Sequence, residues 1–408
     1  MTSITPTDLQ PDGHAAARPA PLPLAGLLAL AMAGFITLLT EVLPAGLLPR
    51  MSASLAVSES MAGQLITVYA LGSLLTAIPL ISATQGLRRR RLLLLAIGGF
   101  AVTNTVTAVS GDYLLTLVAR FFAGVSGGLV WALVASYAAR MVPSHLAGRA
   151  IAISGIGAPL AFSVGVPAGT FLGGMVGWRL AFGIMSLLTV LLIGLVVAKV
   201  PDFPGQPAGE RLSLRAVVRI PGIRPILFVI FAFVLAHNIL YTYIAPFLAP
   251  LGLLDRVDGI LLVFGIGGLA GLWIAGVLID RWLREVVLVS IAAFIAAVLA
   301  LAFWSGSPMV VYVAVAVWGV VYGGAPALFL TASAKTAKEA ADVAQAMIVT
   351  VWNLAIGVGG ICGGVLLEAF GVVSFPWAMI LALVPTLAVA WSAKRHGFPA
   401  LQLARPAE

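Results

Sequence analysis

The sequence predicts an all-α integral membrane protein, with twelve transmembrane helices arranged as two six-helix bundles. Three observations carry this. Of 408 residues, 61% are hydrophobic and only 9% are charged, whereas soluble domains carry about 25% charged residues. With a mean hydropathy of +1.10 there is too little polar surface to coat a soluble core, which excludes an ordinary cytoplasmic enzyme, a disordered tail protein and a nucleic-acid binder. Second, the chain divides into twelve apolar windows, each near the roughly 20 residues a helix needs to cross a hydrocarbon layer of about 30 Å. Third, the basic residues alternate from loop to loop as an even number of crossings requires.

Taken in order, residues 1–24 are a polar tail rich in proline (Pro6, Pro11, Pro19, Pro21, Pro23). It lacks the basic stretch, short apolar run and cleavage site of a signal peptide. The first six spans are expected at 25–48, 60–83, 92–110, 114–139, 150–174 and 178–199, making a bundle over 25–199. A Pro-, Gly- and Arg-rich central loop, 200–224, follows. The second six are expected at 225–249, 257–279, 285–305, 309–332, 343–368 and 372–393, making a bundle over 225–393, and residues 394–408 form a tail. With both termini cytoplasmic, 19 of the 23 basic residues fall on the cytoplasmic side, including the run Arg88 to Arg91, and only Arg50, Arg120, Arg179 and Arg256 fall elsewhere. A shift of 196 residues superposes Gly63 on Gly259, Gly72 on Gly268 and Arg88 on Arg284. Paired halves with a site between them are a recurring transporter plan.

What is missing narrows the chemistry. The single cysteine, Cys362, excludes a disulfide within the chain, and the four histidines are scattered, so no metal site is expected. No G-x-x-x-x-G-K-[ST] loop is present to take ATP. No Asp falls deep within a span, Asp258 standing at the very start of the eighth, which weighs against an intramembrane protease. An enzyme is not expected, and no cofactor.

The loop after the eighth span reads Gly276-Val-Leu-Ile-Asp280-Arg281-Trp-Leu-Arg284. This resembles the G-x-x-x-D-R-x-x-R signature of the major facilitator superfamily. The first-half copy keeps Arg88 and Arg89 but has Leu80 and Thr84 in place of the Gly and Asp. Arg120 and Gly124 are similar to the R-x-x-x-G of the superfamily's fourth helix. Together with Thr40-Glu41-Val-Leu-Pro44, Gly177-Trp178-Arg179 and Tyr241-Thr-Tyr243-Ile-Ala-Pro246-Phe247, the chain resembles the twelve-helix drug:proton antiporters, above all their bacterial sugar-efflux and arabinose-efflux-like members. The resemblance covers residues 25 to about 395. It implies a major facilitator fold in the bacterial inner membrane and proton-coupled efflux of a sugar, nucleoside or drug-like compound by alternating access. Proton-coupled uptake uses the same parts, and a sensor with the same fold is a third possibility. The expected partners are a small-molecule substrate, protons and membrane lipids, with no nucleic acid, for a protein acting as a monomer.

An ionisable residue within a span costs about 2.5 kcal/mol or more and needs a reason. Glu41 and Arg120 each lie about 10 Å from the outer end of their helices at 1.5 Å per residue. An ion pair between them, direct or through water, is expected if the first and fourth spans adjoin. Either it serves proton coupling or it is a fixed brace; His237 is the further proton or ligand candidate. Asn238 and Tyr241 share a face of the seventh span. With Trp131, Trp318, Tyr322 and Asn353 they offer amide, phenol and indole groups to a ligand, or else hydrogen bonds between helices. Asn104 is expected to be structural. Arg88, Arg89, Gly276, Asp280, Arg281 and Arg284 are the gating candidates. Gly165, Gly169 and Gly173 on the fifth span, and Gly265, Gly267, Gly268 and Gly271 on the eighth, are expected to face each other as sliding surfaces.

Overall fold

The computed structural model describes residues 22–77, 79–84, 86–143, 146–205 and 214–398. Most of the N-terminal tail, residues 206–213 of the central loop and residues after 398 lie outside these, and with them Arg18, Arg211 and Arg405 of the charge pattern. The described residues form helices and no strand. In chain order they are α1 (Leu24–Leu55), α2 (Glu59–Ala77), α3 (Arg89–Val109), α4 (Tyr113–Arg140), α5 (Ala147–Val176) and α6 (Trp178–Lys199). After the central loop come α7 (Ile223–Tyr241), then α8 and α9 within Val257–Trp304, α10 (Pro308–Ala337), α11 (Ala341–Phe370) and α12 (Ser374–Ser392).

Ten stretches are long and apolar enough to cross a membrane. One of them, Leu254–Trp304, runs 51 residues, far more than a single crossing needs. It breaks at Trp282, whose φ and ψ of −127° and 31° leave the helical region, and so holds both α8 and α9. The nineteen residues of α2 are helical but outside the ten. A short helix, Pro79–Thr84, follows, with the proline at its first position, where a missing N–H costs no intrahelical bond. Counted this way, the helices agree with the twelve expected crossings. The helix-to-helix turn at Gly177 takes φ = 93°, a conformation glycine adopts without strain.

Large apolar side chains face outward, Val109 at 76% and Leu381 at 77% exposure, as a lipid-solvated surface requires. Inside, small residues set the close approaches. Here the structure corrects one expectation. The stripe Gly165, Gly169 and Gly173 of α5 lies against Phe35, Leu39, Leu43 and Leu47 of α1, not against α8. Most α8 glycines serve α10 instead: a Cβ on Gly271 would fall on the Val320 carbonyl, and one on Gly319 on the Phe264 carbonyl. Gly265 alone of the α8 set meets α5. The sequence offered two small-residue stripes, and helix partnership is not encoded in either stripe by itself.

Away from the arginine-rich loops, one apolar core runs through both halves of the chain, joining Leu39–Leu55 of α1 and Leu65 of α2 to α7, α8, α10 and α11. Toward the Arg88 end the core splits. One cluster draws only on first-half residues, from α1 to α6 and just beyond, and a smaller one only on residues 217–344.

Candidate functional site

The site begins with a proline. Pro44 has no N–H to donate to the carbonyl of Thr40 four residues earlier, so α1 carries an unpaired acceptor in its middle. Arg120 of α4 supplies the donor: its Nη1 donates to Thr40 O, its Nη2 to Glu41 O at 3.0 Å and its Nε to Leu65 O at 3.2 Å. The side chain is fully buried and lies 4.9 Å from the centre of the Tyr69 ring. Gly124, one turn on, lets α4 close on α2, since a Cβ there would strike the Tyr69 carbonyl. The Arg120–Gly124 pattern is thus one face that closes α4 onto α1 and α2. Asn104 of α3 adds Nδ2 to Thr40 Oγ1 at 3.0 Å, the structural role expected of it.

Glu41 and Arg120 are therefore neighbours but not a direct ion pair. The guanidinium holds the backbone of Glu41, and its carboxyl side chain has no hydrogen-bond donor among the described residues. The Glu41 side chain is buried and within Coulombic reach of Arg120, Tyr69, Tyr241 and Tyr322. It stands where α1 faces α7 and α10.

Across from it is an aromatic cluster. His237 stacks on Tyr322 at 3.5 Å and 10°, and on Tyr241 at 4.8 Å and 23°. Trp318 Nε1 donates to His237 Nδ1 at 3.1 Å. An indole nitrogen only donates, so Nδ1 is bare in this arrangement and Nε2 carries the proton. The Tyr241 hydroxyl is buried with no hydrogen-bond partner among the described residues. Phe264 and Phe162 complete the cluster, with Phe264 at 4.9 Å from Trp318 and Phe162 at 5.7 Å from Tyr241. Of the six ligand candidates, Tyr241, Trp318 and Tyr322 come together here with His237. Asn238 turns toward Gly359 of α11 and donates to Val234 O of its own helix at 2.9 Å. Asn353 likewise donates to Val349 O at 3.0 Å, and half-buried Trp131 faces Gly34 of α1. Phe162 and Phe264 escaped the sequence reading because a phenylalanine in an apolar span carries no pattern of its own. Their signal was the Pro159–Pro167 pair and the glycine run around them.

The gating candidates separate into two kinds. Arg88 Nε pairs with Asp202 Oδ2 at 2.6 Å, the one ion pair among the described residues. The N–H of Arg90 donates to Asp202 Oδ1 at 3.1 Å and that of Arg89 to Phe203 O at 2.9 Å. Burial pushes the Asp202 carboxyl up, but the hydrogen bonds and charges of Arg88 and Arg90 outweigh it and hold it below the usual carboxylate range. Arg284 is buried and closes α12, donating to the carbonyls of Ala390, Trp391 and Phe398 at 3.2, 2.7 and 2.7 Å, a helix-end role. Gly276, Asp280 and Arg281 are exposed, and Asp280 has no ion pair among the described residues.

At the opposite end, Tyr243 follows α7 and inserts between α2 and α11. Its hydroxyl donates to Gly360 O at 2.9 Å and accepts from Gln64 Nε2 at 3.2 Å. A Cβ on Gly63, Gly363 or Gly364 would collide with it. Ser58 Oγ donates to Glu368 Oε1 at 3.1 Å beyond it.

With this geometry in place, comparison with known proteins is decisive for the family. The sequence profile described as Major Facilitator Superfamily matches residues 30–360. The chain belongs to the Major Facilitator Superfamily. It is a multi-pass membrane transporter by family and fold. It is 28% identical over 375 residues to a protein of Mannheimia succiniciproducens named "Probable sugar efflux transporter", covering 90% of this chain and 92% of that one. A protein of the same name from Haemophilus influenzae is 30% identical over 347 residues, covering 83% and 86%. A purine ribonucleoside efflux pump of Salmonella enteritidis is 29% identical over 359 residues, covering 86% and 89%. Among solved structures, the human organic anion transporter MFSD10 superposes with a TM-score of 0.68 at 16% identity, over 91% of this chain and all of that one. A bacterial homologue of the lysosomal transporter Spinster, inward-facing and unoccupied, gives 0.64 at 17% identity, over 93% and 97%.

Proposed function

We propose that this transporter exports a small molecule across the bacterial inner membrane in exchange for protons, by rocking two six-helix halves, 25–199 and 225–393, about a central site. Both termini and the Arg88 end face the cytoplasm. The observation that carries the reading is Glu41: a buried carboxyl group with no hydrogen-bond donor among the described residues, on α1, within Coulombic reach of Tyr241 and Tyr322 of the second half. A carboxyl held so is sensitive to whether the opposite half is near or far, and burial and an approaching cation move its proton affinity in opposite directions. The split core at the Arg88 end and the Tyr243 contact at the other support an inward-open state. Efflux-named relatives support the direction.

The test is export driven by an imposed pH difference in proteoliposomes. Glu41→Gln keeps shape and hydrogen bonding and removes titration. It is expected to abolish accumulation while leaving substrate exchange at equal pH. A Glu41→Gln protein that still builds a gradient from the pH difference would put the proton elsewhere, with His237 the next residue to replace.

A further inference from the structure

We propose that the pocket beside the α5 bulge takes a flat aromatic ring, so that the exported compounds carry one. This rests on the export reading above and names its substrate class. Pro167 has no N–H for the Ser163 carbonyl, and α5 takes a π turn over Ala161–Gly165 just before it. Such bulges are frequent at functional sites. Gly265 of α8 lets the bulge seat, because a Cβ there would fall on the Phe162 carbonyl and the Ser163 Cα. Phe162 is thereby set against α8 and α10. Its ring lies 5.9 Å from Phe264 at 63° and 6.1 Å from Tyr322 at 80°.

These three rings form one wall of an open-sided cavity of about 100 Å³. Ala158 and Pro159 of α5 and Gly268 of α8 line the remainder nearest the bulge. An enclosed apolar cavity of about 150 Å³ holds a benzene ring, so this smaller, open-sided pocket takes the edge of one ring and leaves the rest of the ring outside it. Edge-to-face packing is the geometry aromatic groups prefer, and the walls already show it among themselves. The one polar side-chain group in the lining is the Tyr322 phenol. A bare sugar seated here would lose water from several hydroxyls with one partner to replace it. Tyr322 also stacks on His237 and lies within reach of Glu41, so a ring in the pocket touches the residue that joins the aromatic cluster to the acid.

The experiment is equilibrium binding to detergent-purified full-length protein, which does not depend on coupling. The probes are inosine, chloramphenicol and phenyl β-galactoside, with methyl β-galactoside as the ringless match. Ala158→Leu fills the pocket from α5. Gly268→Ala does so from α8, where a Cβ meets only ordinary contacts at 3.8 Å. At least one ring compound is expected to bind tenfold more tightly than methyl galactoside, and both variants to weaken it at least fivefold with methyl galactoside unchanged. Methyl galactoside binding as well as the ring compounds, or ring binding indifferent to both variants, overturns the proposal. So does native mass spectrometry showing a lipid held by the wild type and lost from Ala158→Leu, with no ring compound bound. Ring binding without pH-driven export would instead leave the pocket standing and remove the coupling.

Discussion

At the scale of single residues, Pro44 and Arg120 explain each other. A proline in mid-span leaves a carbonyl unpaired, and a buried guanidinium without acceptors is costly. In α1 and α4 each need meets the other. Arg120→Ala is expected to lower stability in detergent by about 2–4 kcal/mol, since hydrogen bonds to charged groups each contribute about 1.5–3 kcal/mol. In a Pro44→Ala background the same substitution should cost about 1 kcal/mol less, because residue 44 then donates to Thr40 itself. Thermal denaturation of the four proteins measures the difference, and strict additivity would disprove the link. The sequence marked both residues as exceptional through their cost in a span. It could not say that the arginine holds backbone and not the Glu41 carboxyl, because acceptors on the main chain leave no trace in residue identity.

At the scale of elements, the two halves repeat one device. After α2, the arginine run holds Asp202 and Phe203 beyond α6; after α8, Arg284 holds Phe398 beyond α12. The shift that sets Arg88 on Arg284 brings Phe203 within one residue of Phe398. The first-half loop has Thr84 where the resembled signature has an acid, and Asp202 brings a carboxylate to Arg88 from another element. Since the folded carboxyl is held below its ordinary value, the strap's contribution is present above that value, about 3.9, and is lost only as pH falls through the lower folded value. Hydrogen exchange at the amides of Val200, Asp202, Phe203 and Gly205, taken relative to the intrinsic rate at each pH, is therefore expected to stay constant from pH 8 to pH 5. Asp202→Asn should raise it throughout that range, and equal protection in the variant would reduce the ion pair to a surface contact. The helices themselves were legible from hydropathy, except where periodicity is silent. No pattern announces that α8 and α9 follow each other with a single break at Trp282, or that α5 bulges before Pro167.

At the scale of the whole molecule, charge alternation and duplication made the architecture readable, but not which end is shut. That depends on contacts between distant helices, such as Tyr243 in its glycine-lined slot and Ser58 against Glu368. Alternating access requires these contacts to break in every cycle. Tyr243→Phe removes the hydroxyl's bonds to Gly360 and Gln64, each worth about 1 kcal/mol net. It is expected to shift the balance toward the outward-open state by about thirtyfold, since about 2 kcal/mol is lost in all and about 1.4 kcal/mol is a factor of ten. Spin-label distances between α2 and α11 near residues 58 and 368 report this as a longer population. The complementary experiment closes the same gap permanently. With Cys362 replaced by Ser, Ser58→Cys and Glu368→Cys should be bridged by a short bis-methanethiosulfonate cross-linker, which makes up the reach the shorter cysteines lack, since the native side chains touch at 3.1 Å. Bridging is expected to abolish export while leaving binding from the Arg88 side intact, and reduction to restore export. Transport at the wild-type rate by the bridged protein would mean that this end does not open, and the rocking of two halves would have to be abandoned for a different movement.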